Sequence, residues 1–288
     1  MKIACLIMAH KEFDLLIDIT NKLYHPDIDI FIHIDIKAKV DIPDLLFRLN
    51  EEKVTILSDR LDVVWGGYSI LKTQLLLLSM ASEKNNYDYY CCISGQDFPL
   101  ITPTDFLDFF IRNRGKEFLE YFALPSPQHW GGNGGLHRFQ YFWPVDEMGF
   151  HQSVKFYEKQ LRESLKRTMP EELTPYGGSN WISITGSCVR YIFDKLMLNP
   201  SLLLFFSMVA HPEEIFFQTL ILNSHFKDNV INDNKRYIDW SGTPSPRILN
   251  TQSDIDNIET SNAHFARKFE RDSCETVLDY LNKKLLPF

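Results

Sequence analysis

Several absences narrow the field before any motif is read. The five cysteines, Cys5, Cys91, Cys92, Cys188 and Cys274, are odd in number and show no CxxC spacing. That sets aside a disulfide scaffold and a zinc ribbon. Cys5, Cys91 and Cys92 lie in apolar, strand-like runs and read as reduced core thiols. Positive charge is scarce, with 30 Lys and Arg against 38 Asp and Glu and a net charge of −8. A nucleic-acid partner is excluded, because phosphate binding wants a basic face. Long hydrophobic runs are missing too: residues 202–210 form the longest, well below the ~20 residues that cross a bilayer. The opening Lys2-Ile3-Ala4-Cys5-Leu6-Ile7-Met8 is too short for a signal peptide and reads as a first strand. The expectation is a soluble, cytoplasmic protein. Its closing Lys283-Lys284-Leu285-Leu286-Pro287-Phe288 suggests at most peripheral contact with the inner face of a membrane. Internal repeats and low-complexity linkers are absent, so no domain boundary shows.

What is present is enough for a large core, with 288 residues and 44% hydrophobic content. The first half alternates strand and helix signals. Residues 3–8, 28–35, 54–57 and 89–93 read as strands, with helices after the first and over 69–81. Continuous apolar runs suit strands buried on both faces. The β-α-β-α order therefore predicts an α/β fold with a mostly parallel central sheet flanked by helices. Ligands in such sheets bind at the carboxyl ends of the strands, which puts Ala9-His10, Asp35 and Ser94-Gly95-Gln96-Asp97 on one rim.

Four stretches carry candidate chemistry. In the second strand, alternation places His33 and Asp35 on one face, and Asp35 reads either as a hydrogen-bond acceptor for a base or ribose or as a turn aspartate. Asp62-Val63-Val64-Trp65-Gly66-Gly67 reads as a strand-like piece closed by glycines, with Trp65 as a stacking platform or a core residue. Trp130-Gly131-Gly132-Asn133-Gly134-Gly135 lacks a phosphate-binding spacing and is expected to be a mobile loop that orders over a ligand. His211-Pro212-Glu213-Glu214 precedes Ile215, Phe216, Leu220 and Ile221. Proline and acidic residues both suit a helix start, so two carboxylates would stand at a helix mouth. There one of them either takes a proton from a hydroxyl nucleophile or merely caps a surface helix. Helices are further expected over 150–168 and 188–198, and a short strand after Tyr176.

Taken in order, these stretches resemble the core-2/I-branching β-1,6-N-acetylglucosaminyltransferase family, which also contains the peptide O-xylosyltransferases. The carriers are Met8-Ala9-His10-Lys11, Ile32-His33-Ile34-Asp35, Val64-Trp65-Gly66-Gly67, Ser94-Gly95-Gln96-Asp97-Phe98-Pro99-Leu100, the glutamate pair and Phe265-Ala266-Arg267-Lys268-Phe269. The resemblance implies a single GT-A-type nucleotide-sugar domain, with a nucleotide-binding half over 1–115 and an acceptor-side and catalytic half over 116–288. It implies an inverting transfer from a UDP-sugar, N-acetylglucosamine or xylose, to a hydroxyl of a glycan or glycolipid acceptor. By residue, it implies Glu214 as general base, with Glu213 ranked second. Asp35 and Trp65 would hold the uridine, with Asp97 on the donor side, and Arg247 and Lys268 the diphosphate. Glu120, Arg138 and Trp240 would face the acceptor.

An inverting displacement needs one base, and its leaving diphosphate needs charge stabilisation by a metal or by fixed cations. Asp27-Ile28-Asp29 has the letters of an Asp-x-Asp metal motif, but it precedes the second strand; Asp254-Ile255-Asp256 falls in a late loop. The expectation is therefore no metal and no cofactor beyond the donor. A metal-dependent transferase using Asp27 and Asp29 and a non-catalytic sugar-binding protein are the alternatives. A glycosidase using Glu213 and Glu214 is disfavoured, because neighbouring helical side chains point about 100° apart.

Overall fold

The computed structural model describes residues 1–50, 52–170, 173–242 and 245–285; Leu286, Pro287 and Phe288 of the expected membrane-contacting tail lie outside them. The chain forms two compact units, Met1–Arg60 with Ala81–Arg114 and Lys235–Phe288, and Leu61–Met80 with Gly115–Asn234. Strands are numbered β1 to β10 in chain order. The described residues from Lys235 onward group with the N-terminal strands rather than with the segment that follows residue 115.

In the first unit β1 (Ile3–Ala9), β2 (Ile28–Ile34), β3 (Val54–Ile56) and β4 (Tyr89–Ser94) lie in the order β3-β2-β1-β4, and their pairings are parallel. β1 is buried along nearly its whole length, as its unbroken apolar run requires. Cys5 pairs in register with Cys91 inside this core, and all five cysteines are free and buried. The helix Pro103–Arg112 starts where the Thr102 hydroxyl accepts from the Asp105 amide, the usual serine/threonine cap. It buries Phe106, Leu107 and Phe110. β5 (Phe98–Pro99) follows the Ser94–Asp97 turn at once. It pairs antiparallel with β10 (Phe265–Arg267), which runs parallel to β9 (Arg236–Ile238). This small sheet stitches the last segment of the chain to the rim of β4.

The second unit contains β6 (Glu117–Ala123), β7 (Tyr176–Thr185) and β8 (Val230–Ile231), in the order β7-β6-β8. β6 and β7 are antiparallel, and their register slips between Leu119 and Tyr121. Glu120 sits at this irregularity, where a bulge re-aims a side chain. Gly178 is needed beside it, because a Cβ there would fall 1.9 Å from the Glu120 carbonyl oxygen. Tyr141, Trp143, Val145 and Ala210 form the local core, with Val64, Phe150, Val154 and Tyr157 packed on it.

The structure revises several element boundaries. The helix expected over 69–81 runs Tyr68–Lys84, and that over 150–168 ends at Arg162. The Asp62–Gly67 piece is a turn, not a strand: the Gly67 amide donates to the Val64 carbonyl, and the Ser69 hydroxyl accepts from the Val64 amide. The short strand after Tyr176 is ten residues long.

Candidate functional site

The glutamates do not open one continuous helix. Pro212–Glu214 forms a 3-10 turn, Ile215 breaks it at φ −125°, and the α-helix proper is Phe216–Leu222. His211 enters the turn in the left-handed region at φ 49°, uncommon for a residue with a side chain. Its amide donates to the Gly66 carbonyl at 2.9 Å. Gly66 in turn has no room for a side chain, since a Cβ would lie 2.8 Å from the Phe150 ring and 3.1 Å from the His211 Nε2. Thus the two chain segments brace each other through backbone, and tight packing explains why the glycine is there. Trp65 stands on this brace. Its ring meets His211 edge-on at 4.7 Å and Phe150 at 4.8 Å, yet it remains 61% exposed. It is an open platform fixed from below rather than a core residue.

The two carboxylates have different surroundings. Glu213 is buried, with its Oε1 at 3.6 Å from His211 Nδ1 and its Oε2 without a hydrogen-bond partner. Burial pushes its carboxyl above the usual range; the nearby His211 pulls it down and Glu214 pushes it up again. A carboxyl so placed favours its neutral form. Glu214 is partly exposed and accepts a hydrogen bond from Arg138 Nη1. Of the pair, Glu214 is the accessible one.

Arg138 is itself held on three sides. Its guanidinium carbon lies 3.7 Å from the centre of the Trp130 ring, its side chain reaches Glu214, and its carbonyl accepts from the Ala210 amide at 2.9 Å. The glycine-rich segment that presents Trp130 is packed in its second half only, with Gly131, Gly132 and Asn133 exposed. Gly134 and Gly135 are buried, and the segment closes through Ser126 N to Gly134 O at 2.9 Å. Glu120 extends the cluster. Its Oε2 accepts from Asn234 at 3.2 Å. Desolvation raises its carboxyl above the ordinary value; His129 opposes this, and the charges of Glu214 and Asp233 add to it. An open cleft of about 370 Å³ is lined by Glu120, Phe122, His129, Asp233 and their neighbours. His129 lies flat on Phe122 at 4.0 Å.

The remaining expected residues belong to the first unit. Asp35 is buried at the end of β2; its Oδ1 accepts from the Lys37 amide at 2.8 Å and its Oδ2 from Lys37 Nζ at 3.2 Å. Arg60 pins the same turn by donating to the Asp35 carbonyl at 2.8 Å. His33 does share the face, since its ring feels Asp35, but burial dominates and brings its pKa down to about 4. Asp97 is 1% exposed. It closes its own turn by accepting from the Ser94 amide at 2.5 Å and sits 3.5 Å from Arg267 Nε. It shapes the rim from beneath rather than standing open on it.

Lys268 is half-buried in a basic corner. Burial lowers its pKa, and so does the charge of Lys11, while Glu270 opposes them. Lys11 bonds to Glu270 at 2.5 Å, and His10 feels Asp35, Lys268 and Arg267. Lys11 is a cation that the sequence reading quoted only as part of a motif. Arg247 is differently placed. Its guanidinium donates to Asp239 and Asp254 and to the Ile248 carbonyl. Its hydrogen bonds to Asp254, then to Asp239, raise its pKa. An arginine already matched to two carboxylates braces its loop. Trp240 is 59% exposed on the turn Trp240–Gly242.

For a metal, Asp29 is engaged by the Tyr87 hydroxyl at 2.7 Å and by Lys53 at 3.3 Å, at the opposite end of β2 from Asp35. Asp254 is spent on Arg247 and on capping its own helix. Among the described residues one group has metal-ligand types together: His211, Glu213 and Glu214, with ligand atoms within 4.8 Å of one another. The fit is poor, because a permanent cation, Arg138, already occupies Glu214. Among the described residues no helix is long and apolar enough to cross a membrane.

Known proteins give this geometry a context. The chain is 27% identical to xylosyltransferase sqv-6 of Caenorhabditis briggsae over 81% of its own length and 28% of that protein. It is 24% identical to xylosyltransferase 2 of Rattus norvegicus over 98% of its length and 33% of that protein. It therefore spans about a third of these relatives. Among solved structures, Staphylococcus aureus TarS 1–349 in complex with UDP-GlcNAc superposes with a TM-score of 0.32 and 12% identity, over 41% of this chain and 34% of that one. The model of the core-2/I-branching enzyme family matches residues 3–262, which contain the glutamate turn, the Trp65 platform and the β4 rim. The chain belongs to that family.

Proposed function

We propose that the protein is a GT-A-type inverting glycosyltransferase that moves a sugar, N-acetylglucosamine or xylose, from a UDP-sugar to a hydroxyl of a glycan or glycolipid acceptor. The observation that carries this reading is Glu214: a partly exposed carboxylate, fixed on a braced turn and oriented by Arg138, in a chain matching the family over most of its length. Glu214 takes the proton of the acceptor hydroxyl as the oxygen attacks the anomeric carbon. The bond to UDP breaks on the opposite face, and the configuration inverts. Glu213 is buried, with its Oε1 turned to His211, and so less accessible to an acceptor than Glu214.

Charge builds on the departing diphosphate and needs fixed cations in place before the reaction. Lys268 is assigned this task, since Arg247 is committed to Asp239 and Asp254 and Lys11 to Glu270. Asp35 and Trp65 are assigned to the uridine, and Glu120, Arg138 and Trp240 to the acceptor. No divalent metal takes part in this reading.

Two measurements test it. A thermal-shift screen with UDP-sugars identifies the donor, because a ligand of the native state raises apparent stability. Glu214→Gln should then lose about 10²–10⁴-fold in turnover while still binding that donor. Near-normal turnover in this variant removes the assignment, and equal damage from Glu213→Gln alone moves it by one residue.

A further inference from the structure

Trp130 has no part in the chemistry described so far, yet the backbone around it is built to admit its ring. The residue ends the short helix Pro127–Trp130, with its amide bonded to the Ser126 carbonyl at 3.0 Å. A Cβ on Gly135 would lie 2.1 Å from the indole, and one on Gly177 would lie 2.4 Å from it. Neither position tolerates a side chain while the ring stays where it is. Gly135 also sits at φ +89°, a conformation that glycine adopts without penalty. Phe122 closes the edge of the ring at 5.0 Å and 84°. One face of the indole carries the Arg138 guanidinium at 3.7 Å, close enough for a cation–π contact. The same guanidinium bonds through Nη1 to Glu214. Arginine has a long stem with many rotamers, and a single hydrogen bond leaves much of that freedom in place. The ring restrains the group from one side, and the carboxylate holds its Nη1 edge.

We infer that Trp130 is a positioning residue for transfer: it holds Arg138 flat, and Arg138 in turn holds the Glu214 carboxylate in the orientation that meets the acceptor hydroxyl. This rests on Glu214 being the base.

The test uses the full chain and reads UDP release from the donor that the thermal-shift screen selects, with an aryl glycoside and a serine-containing peptide as acceptors. Trp130→Leu keeps bulk but removes the π face, whereas Trp130→Phe keeps a smaller one. Trp130→Leu should lower kcat about 3- to 30-fold, the range a cation–π contact spans. The KM for the donor and the calorimetric affinity for UDP should stay unchanged, and Trp130→Phe should recover most of the loss. In an Arg138→Ala background Trp130→Leu should cost nothing more, because residues acting through one contact are not additive. Additive losses, equal rates in Leu and Phe variants, or a matching fall in UDP affinity would mean that the ring merely fills space, and would overturn the inference. Glu214→Gln is run alongside. Turnover surviving there overturns the base assignment and this inference together, whereas an inert Glu214→Gln with additive Trp130 and Arg138 effects overturns this one alone.

Discussion

Lys268 and Arg247 show how neighbours decide what a cation can do. Both stand in the late part of the chain and both match a diphosphate-binding pattern in sequence, but only one keeps its charge uncommitted to a carboxylate pair. Arg247 lies between Asp239 and Asp254, where a phosphate would have to displace two anions. Lys268 sits with Lys11 and Arg267 nearby, and burial and these like charges together lower its pKa. Glu270 and Glu12 oppose that shift, and a bound phosphate would add to their pull and favour the charged lysine. Lys268→Ala should therefore weaken UDP far more than uridine, by about tenfold or more, since charge-assisted contacts to phosphate are among the stronger hydrogen bonds. Calorimetric titration with both ligands checks it. Equal losses for the two would place the lysine on the base or ribose instead. Nothing in the sequence distinguishes the two cations, because the partners of Arg247 are eight residues before it and seven after it and meet only through the fold of their loop.

At the scale of elements, two devices position the candidate site and each predicts a measurable defect. The Trp65 platform depends on the turn that follows it. A Cβ on Gly67 would lie 2.0 Å from Asp146 Oδ1, and Asp146 holds the Ser69 amide and hydroxyl, each at 2.8 Å. Gly67→Ala must break that arrangement. It should cost about 1–3 kcal/mol, the usual effect of disrupting a buried polar contact, readable as a lowered melting temperature with weaker UDP binding; unchanged stability would show that the Asp146 bracket is dispensable. The second device is the junction of β6 and β7. Glu117 is fully buried and accepts from the Thr185 amide at 2.7 Å and hydroxyl at 2.6 Å. The same hydroxyl caps the helix Gly186–Leu198.

Burial raises the Glu117 pKa to about 7 against the hydrogen bonds from Thr185, which lower it. The folded state thus binds a proton that the unfolded state gives up above its usual carboxylate pKa. Stability contributed by this group is complete below about pH 4.5 and falls as pH rises to about 7. The loss is on the order of 3 kcal/mol by the size of the shift. Glu117→Gln should flatten the melting-temperature profile across that window relative to the parent protein. Parallel profiles would show that Glu117 is ionised in the fold or that its charge is compensated.

For the molecule as a whole, the distribution of acidic residues bears on metal dependence. One member of each Asp-x-Asp pair is engaged elsewhere, Asp29 by Tyr87 and Lys53 and Asp254 by Arg247. The one mixed cluster among the described residues, His211 with Glu213 and Glu214, already faces Arg138. Transfer should persist in excess EDTA, with turnover within about twofold of the untreated enzyme. Abolition by chelation and recovery with manganese would sink this mechanism, and the metal-dependent alternative would replace it.

The sequence by itself determined the parallel α/β framework, because strands buried on both faces must be continuously apolar and those runs are visible letter by letter in 3–8, 28–35 and 89–93. It marked the glutamate segment as a helix start, since proline followed by two acidic residues suits one, but not the separate 3-10 turn or the break at Ile215. Only the tertiary structure decided which glutamate is open and which is buried, because the difference comes from His211 and Arg138, and Arg138 is 76 residues away in sequence. It decided that Gly134 and Gly135 of the glycine-rich segment are packed while Gly131 and Gly132 stay exposed. Composition reports the flexibility of free glycines, whereas here the missing side chains make room for an indole supplied by the segment itself and by Gly177 across the β6–β7 pair. It decided, too, that the chain after Lys235 returns to the first strands, since β9 and β10 are three residues each and gain their partners only through pairing that no local pattern encodes.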